Sequence, residues 1–134
     1  MLTVRIYSFS YLKSGIPRDN TLNGGGFVFD CRFISNPARL INLEALTGRD
    51  KEVIEYLENL PEMSEFIKNV VNIIDQCIKN YLNRGFTDLM ISFGCTGGQH
   101  RSVYAAEKLK SYLELHYNSE LKVVLKHNEL AETS

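Results

Sequence analysis

The sequence predicts an α/β domain: a sheet of roughly four strands, parallel or mixed, with helices packed on it. Three observations carry that prediction. Leu2, Val4 and Ile6 alternate with Thr3, Arg5 and Tyr7, the two-residue period of a strand with one buried face. Residues 88–94, DLMISFG, form a continuous apolar run, the habit of a strand covered on both sides. Apolar residues recur at helical spacing before and after that run. The later chain therefore reads strand, helix, strand, helix, strand, an order that right-handed crossovers gather into one sheet.

Taken in order, the first strand is expected over 2–9. Residues 14–26, SGIPRDNTLNGGG, are loop chemistry, and the Gly24-Gly25-Gly26 run is expected to be flexible. A second strand, FVFDCRF, spans 27–33 and turns polar at Asp30 and Arg32. SNPARL then turns the chain, because the residue before a proline is pushed out of the helical region. A short helix is expected over 50–60, and Pro61 suits the first turn of the next one. Ile67, Val70, Val71, Ile74, Ile78, Tyr81 and Leu82 mark a long helix over 62–84, which Gly85 stops. Beyond the strand at 88–94, Val103, Ala106, Leu109, Leu113 and Tyr117 define a third helix, and LKVVLKH at 121–127 a final strand.

The 134 residues suit one domain with its own core, taken as 1–134. No apolar run reaches the length of a signal-peptide core or a membrane span, so a cytoplasmic location without membrane association is expected. Cys31, Cys77 and Cys95 are an odd set without CxxC spacing, which fits a reducing compartment. With His100, His116 and His127 they make no metal-ligand pattern, so neither metal nor cofactor is expected. The net charge of −1 lacks the basic surplus of most nucleic-acid binders. Lys122, Lys126 and His127 offer only a weak basic edge, and His116 reads as solvated.

The chemistry concentrates in SFGCTGGQHRS, residues 92–102, where a strand ends and a helix begins. That is the edge at which open α/β sheets place their ligands. Gly94, Gly97 and Gly98 let the backbone approach a guest closely. The helix start supplies unpaired N–H groups and the positive end of its dipole. Arg101 adds a guanidinium fork, and Thr96 and Ser102 add hydroxyl donors. An anion, above all a phosphate, fits this set; a plain strand-to-helix turn with a surface arginine is the bland alternative. A third reading is covalent, because C-x-x-G-x-x-R-S is also the spacing of cysteine-dependent phosphatase loops. Cys95 would then be a thiolate nucleophile, Arg101 its clamp, and Asp30 or Asp19 the acid. Gly94, however, stands where those enzymes usually carry histidine.

A second polar cluster lies at Asp30 and Arg32, which share one side of a strand and are either a self-satisfied ion pair or part of the same pocket. If their strand neighbours the one ending at Gly94, Asp30 suits a hydroxyl or amine while Arg101 takes a phosphate. Gln99 and His100 serve either that pocket or the first helical turn.

GCTGGQHRS (94–102), VFDCRF (28–33), Asn36-Pro37, LTG (46–48) and SFSYLKSGIP (8–17) together resemble the C-terminal domain of the RapZ family of RNase adapter proteins. The resemblance runs over nearly the whole chain. It implies an α/β domain without known chemistry that senses a phosphorylated amino sugar such as glucosamine 6-phosphate, binds small regulatory RNA or a protein partner, and self-associates. Carried over residue by residue, it places the sugar-phosphate pocket on Asp30, Cys95, Thr96, Gly97, His100 and Arg101. Gly98, Gln99 and Ser102 complete the loop, and Arg32 lies beside it. Inorganic phosphate or sulfate would fill the same seat. The family's N-terminal P-loop domain is not expected here, because no G-x-x-x-x-G-K-[ST] occurs. The family's ligand-contacting histidine after Asn-Pro is replaced by Ala38, followed by Arg39. The ending KHNELAETS lacks the family's basic RNA-binding tail.

Overall fold

The computed structural model describes residues 1–40 and 42–131. Four strands form one parallel sheet: β1 (Leu2–Ser10), β2 (Phe27–Asp30), β3 (Asp88–Cys95) and β4 (Leu121–His127), in the order β2-β3-β1-β4. Three helices accompany them, α1 (Lys51–Glu58), α2 (Pro61–Arg84) and α3 (Arg101–Tyr117). The expected α/β architecture is present, with every pairing parallel.

Strand alternation divides the side chains cleanly. Leu2, Val4 and Ile6 of β1, Leu89, Ile91 and Phe93 of β3, and Leu121 of β4 are buried in one core with Met63, Val70, Ile74 and Ile78 of α2 and Leu109 and Leu113 of α3. The helices therefore cover one face. The loop between β1 and β2 crosses the other, where Arg5 bridges Asp88 and Asp19, each at 2.8 Å. Asp19 also accepts from the N–H groups of Thr21, Asn23, Gly24 and Gly25. The glycine run expected to be flexible is thus tied down by one carboxylate.

Two more details differ from the sequence reading. β2 stops at Asp30 rather than at 33; Cys31 still donates to the Gly94 carbonyl at 2.7 Å, and Ile34 then closes a turn onto Cys31. His127 is not on a basic edge with Lys122 and Lys126. Alternation turns it to the helix side, where its ring lies between Ser8 Oγ (2.6 Å) and Glu107 Oε2 (2.8 Å). Its two partners are satisfied by one tautomer, with Ser8 donating to Nδ1 and Nε2–H donating to the carboxylate.

Candidate functional site

The register of the sheet brings three chain segments to one edge. Asp30 pairs with Gly94 and Ser10 with Cys95, so the segments after β1, β2 and β3 all emerge beside the first turn of α3. Asp30 and the glycine loop are neighbours, as the sequence reading required of a shared pocket.

The loop from Thr96 to His100 is held by its carbonyls. Tyr11 N–H donates to Cys95 O at 3.0 Å, Ser10 Oγ donates to Thr96 O at 2.6 Å, and Gly48 N–H donates to Gln99 O at 2.9 Å. By contrast, no backbone N–H from Thr96 to Val103 donates to another backbone carbonyl among the described residues, and α3 has no side-chain N-cap. A loop whose Thr96, Gln99 and His100 carbonyls are bound while its N–H groups have no backbone acceptor is an arrangement suited to an anion.

Two glycines are there for reasons of space. Gly98 has φ +67, and a Cβ on it would lie 2.4 Å from Glu129 Cγ and 2.8 Å from Ser10 N. At Gly94 a Cβ would meet Phe9 Cζ at 2.3 Å and Tyr11 Cε2 at 2.6 Å, because those two rings pack edge to face across it. That packing explains why glycine, and no larger residue, precedes the cysteine.

Arg101 is 4% exposed. Its Nη1 donates to the carbonyls of Arg32 (2.9 Å) and Ile34 (2.8 Å), and its Nε is buried with no partner. An orphaned buried guanidinium nitrogen is costly unless something else completes it. Cys95 is 2% exposed, and its Sγ lies 3.1 Å from the Oγ of fully buried Ser102. Thr96 is exposed beside them and Gly97 half-buried.

Gln99 and His100 reach toward the segment ahead of α1. Gln99 Nε2 donates to the carbonyls of Glu44 (2.9 Å) and Leu46 (2.7 Å), and His100 Nε2 donates to that of Leu43 at 3.0 Å. Burial lowers the His100 pKa below the usual imidazole value, so a neutral ring with the proton on Nε2 satisfies the contact. The LTG stretch (46–48) is the other half of this clasp.

Asp30 and Arg32 form an exposed bidentate pair (Nη2 to Oδ2, 2.7 Å), and the guanidinium lies 3.8 Å above the Tyr11 ring. Arg32 lowers the Asp30 pKa, so Asp30 is an acceptor. Ala38 and Arg39 sit in a 3-10 turn, Pro37–Arg39, where Asn36 Oδ1 accepts from Ala38 N–H at 3.0 Å. Asp19 lies on the far sheet face with Arg5 and is not part of this cluster. Ser10, Tyr11, Gly48 and Glu129 border the loop without having been candidates. Glu129 Oε2 accepts from Ser10 N–H at 3.0 Å. Ser10 and Tyr11, in SFSYLKSGIP, and Gly48, in LTG, lay in stretches that carry the family resemblance, whereas Glu129 carried no signal. Among the described residues, no group of three or more His, Cys, Asp or Glu side chains is placed to hold a metal ion, and no helix is long and apolar enough to cross a membrane.

Comparison with known proteins adds the relationship. A family model described as the RapZ C-terminal domain matches residues 2–131. A nucleotide-binding protein of Thermosipho melanesiensis is 40% identical over 127 residues, covering 95% of this chain and 42% of the relative. One from Nitrosomonas europaea is 40% identical over 131 residues, covering 98% and 42%. One from Thermotoga petrophila is 39% identical over 128 residues, covering 96% and 42%. The chain spans about two fifths of the length of the curated relatives it matches.

Proposed function

The chain belongs to the RapZ C-terminal domain family, and from that premise we propose that it is a regulatory domain that binds a phosphorylated small molecule at residues 96–103. The observation that carries this reading is the row of backbone N–H groups without backbone acceptors at the start of α3, together with the unpartnered Nε of Arg101 in the first turn of that helix. Backbone donors at a helix start and a guanidinium together stabilise a dianion without any side chain having to move in.

The relatives are named nucleotide-binding proteins. In this chain the phosphate is the part of such a ligand for which support exists. The family resemblance adds an amino-sugar phosphate as the ligand. In that pose Thr96, Gly97, Gly98, Gln99, His100 and Ser102 surround the phosphate through backbone or hydroxyl donors, Cys95 forms the floor, and Asp30 with Arg32 faces the sugar. Ala38 in place of the family's histidine removes one sugar contact, so this domain discriminates sugars less sharply. RNA or a protein partner, and self-association, are the outputs such a sensor would serve.

Non-enzymatic binding is favoured over cysteine-phosphatase chemistry by the burial of Cys95 and by the commitment of both Asp30 oxygens to Arg32. Among the described residues of the loop and its border, Cys95 is buried and Asp30 and Glu129 are already paired.

Thermal shifts with inorganic phosphate, glucosamine 6-phosphate, glucose 6-phosphate and adenosine monophosphate test the proposal. Saturation about 100-fold above Kd should stabilise by roughly 2.7 kcal/mol. Arg101→Lys should abolish most of that shift; an unchanged shift would remove Arg101 from the site. Hydrolysis of an aryl phosphate that disappears in Cys95→Ser would overturn the non-enzymatic reading.

A further inference from the structure

The phosphate-binding reading leaves open what sets the loop's shape before any ligand arrives. Three observations converge on Glu129, which lies just beyond β4. Its backbone is fixed: Asn128 N–H donates to Ser8 O at 2.9 Å, extending the β1–β4 ladder, and Leu130 N–H closes a turn onto His127 O at 3.3 Å. Its carboxylate Oε2 accepts from Ser10 N–H at 3.0 Å and from the Ser14 hydroxyl. Its Cγ occupies the place where a side chain on Gly98 would begin.

Ser10 in turn donates its hydroxyl to Thr96 O at 2.6 Å. Glu129 therefore fixes the backbone of the residue whose side chain orients the first peptide of the loop, and its own stem fills the hollow behind Gly98. Of the loop's own polar groups, this chain of contacts engages the Thr96 carbonyl and none of the N–H groups. An acidic residue beside an anion seat would be unfavourable if it faced the anion. Here its charge is spent on Ser10 and Ser14.

We propose that Glu129 is a positioning residue of the anion loop, acting through Ser10 to fix the Thr96 carbonyl and, by its stem against Gly98, the path of the loop, and so preorganise the N–H groups for phosphate. This inference rests on the phosphate-binding reading for its function, but its structural half is testable without ligand. Preorganisation of donors is what lets a small anion bind without a reordering cost.

The experiment compares wild type with Glu129→Gln, Glu129→Asp and Glu129→Ala by inorganic phosphate titration and by amide NMR of the ligand-free protein. Gln keeps an oxygen acceptor for Ser10 N–H and the same stem over Gly98, so its phosphate affinity should stay within about twofold of wild type. Ala loses both, and its affinity should fall by about tenfold, the scale of one lost charged hydrogen bond. Its amides at 96–100 should be displaced before ligand is added. Asp keeps the charge but withdraws it from Ser10, and should behave like Ala; it also serves if Ala fails to fold. Tighter phosphate binding in both Gln and Ala would mean that Glu129 acts only as a nearby negative charge, and would overturn the proposal. Unmoved loop amides in Ala or Asp would overturn it as well. If wild type binds no phosphate, the functional reading fails, while the ligand-free amide shifts still decide whether Glu129 sets the loop.

Discussion

Arg101 is joined to Ile34 across the open edge of the sheet: Nη1 donates to the Ile34 carbonyl at 2.8 Å, and to Arg32 O at 2.9 Å as well. The residue expected to hold a phosphate is thus also the tie that shapes the segment after β2. One side chain sets both walls of the candidate pocket. Arg101→Lys ends one bond short of Nη1 and loses the reach to these two carbonyls. It should cost about 2 kcal/mol of stability besides weakening phosphate binding. Denaturant midpoints with an unchanged m value would verify the stability part.

Gly94→Ala should destabilise by about 1–3 kcal/mol, since overpacking forces neighbouring rings off their rotamers. The added methyl would sit 2.3 Å from Phe9 Cζ. Pairing the change with Phe9→Leu should recover part of the loss, which a double-mutant cycle on thermal midpoints measures.

Thiol reagents should find Cys77 first. It is half-buried on α2, whereas Cys31 and Cys95 are buried. Burial raises the pKa of Cys77 and lifts that of Cys31 much further, so labelling should be slow and confined to Cys77 until denaturant is added. Mass spectrometry of labelled peptides reads this directly. Fast modification of Cys95 in the native protein would contradict its placement.

Acid should weaken the clasp between His100 and Leu43. Burial depresses the His100 pKa, so the unfolded chain binds a proton more readily than the folded one. Its contribution to stability is present above the ordinary imidazole value of about 6.5 and declines as the pH falls through it toward the folded value. His100→Gln, which keeps a donor for Leu43 O, should show a smaller loss between about pH 7.5 and pH 5.5 in urea titrations.

Asp75 on α2 accepts from the phenols of Tyr112 (2.5 Å) and Tyr117 (2.7 Å) on α3. That hydrogen bond is the main reason the Tyr112 pKa is pushed up to about 12. Asp75→Ala should bring Tyr112 back toward about 10 in an ultraviolet alkaline titration. It should also lower the thermal midpoint through the two stranded hydroxyls.

The sequence was most informative where local rules decide the outcome. Glycine spacing at 94–98 and the following helical pattern located the loop at a strand end, and the apolar run of β3 marked a strand buried on both faces. A shared pocket for Asp30 and the glycine loop was expected only if their strands are neighbours, and β2 does pair with β3, with Asp30 opposite Gly94. What escaped depends on distant partners. Gln99 and His100 were candidates for a ligand, yet in the described structure their side chains hold carbonyls at 43–46, more than fifty residues earlier. Glu129 meets Ser10 across 119 positions. The early end of β2 follows from the turn at Cys31–Ile34, with Arg101 holding the carbonyls of 32 and 34. Apart from the Cys31–Ile34 turn itself, these contacts join residues too far apart for any window of neighbours to contain them.

The strand order also has a temporal meaning. β1 lies inside the sheet, between β3 and β4, so its first partner begins at Asp88 and its second at Leu121. On a ribosome moving at ~5–20 residues per second, Thr3 is made roughly 4–17 s before Asp88. For that interval a strand of Leu, Val and Ile has both edges bare. The candidate loop, assembled on the ends of β1 and β3, therefore cannot take shape before β3 has been made. Synthesis conditions that prolong the wait should favour aggregation through β1.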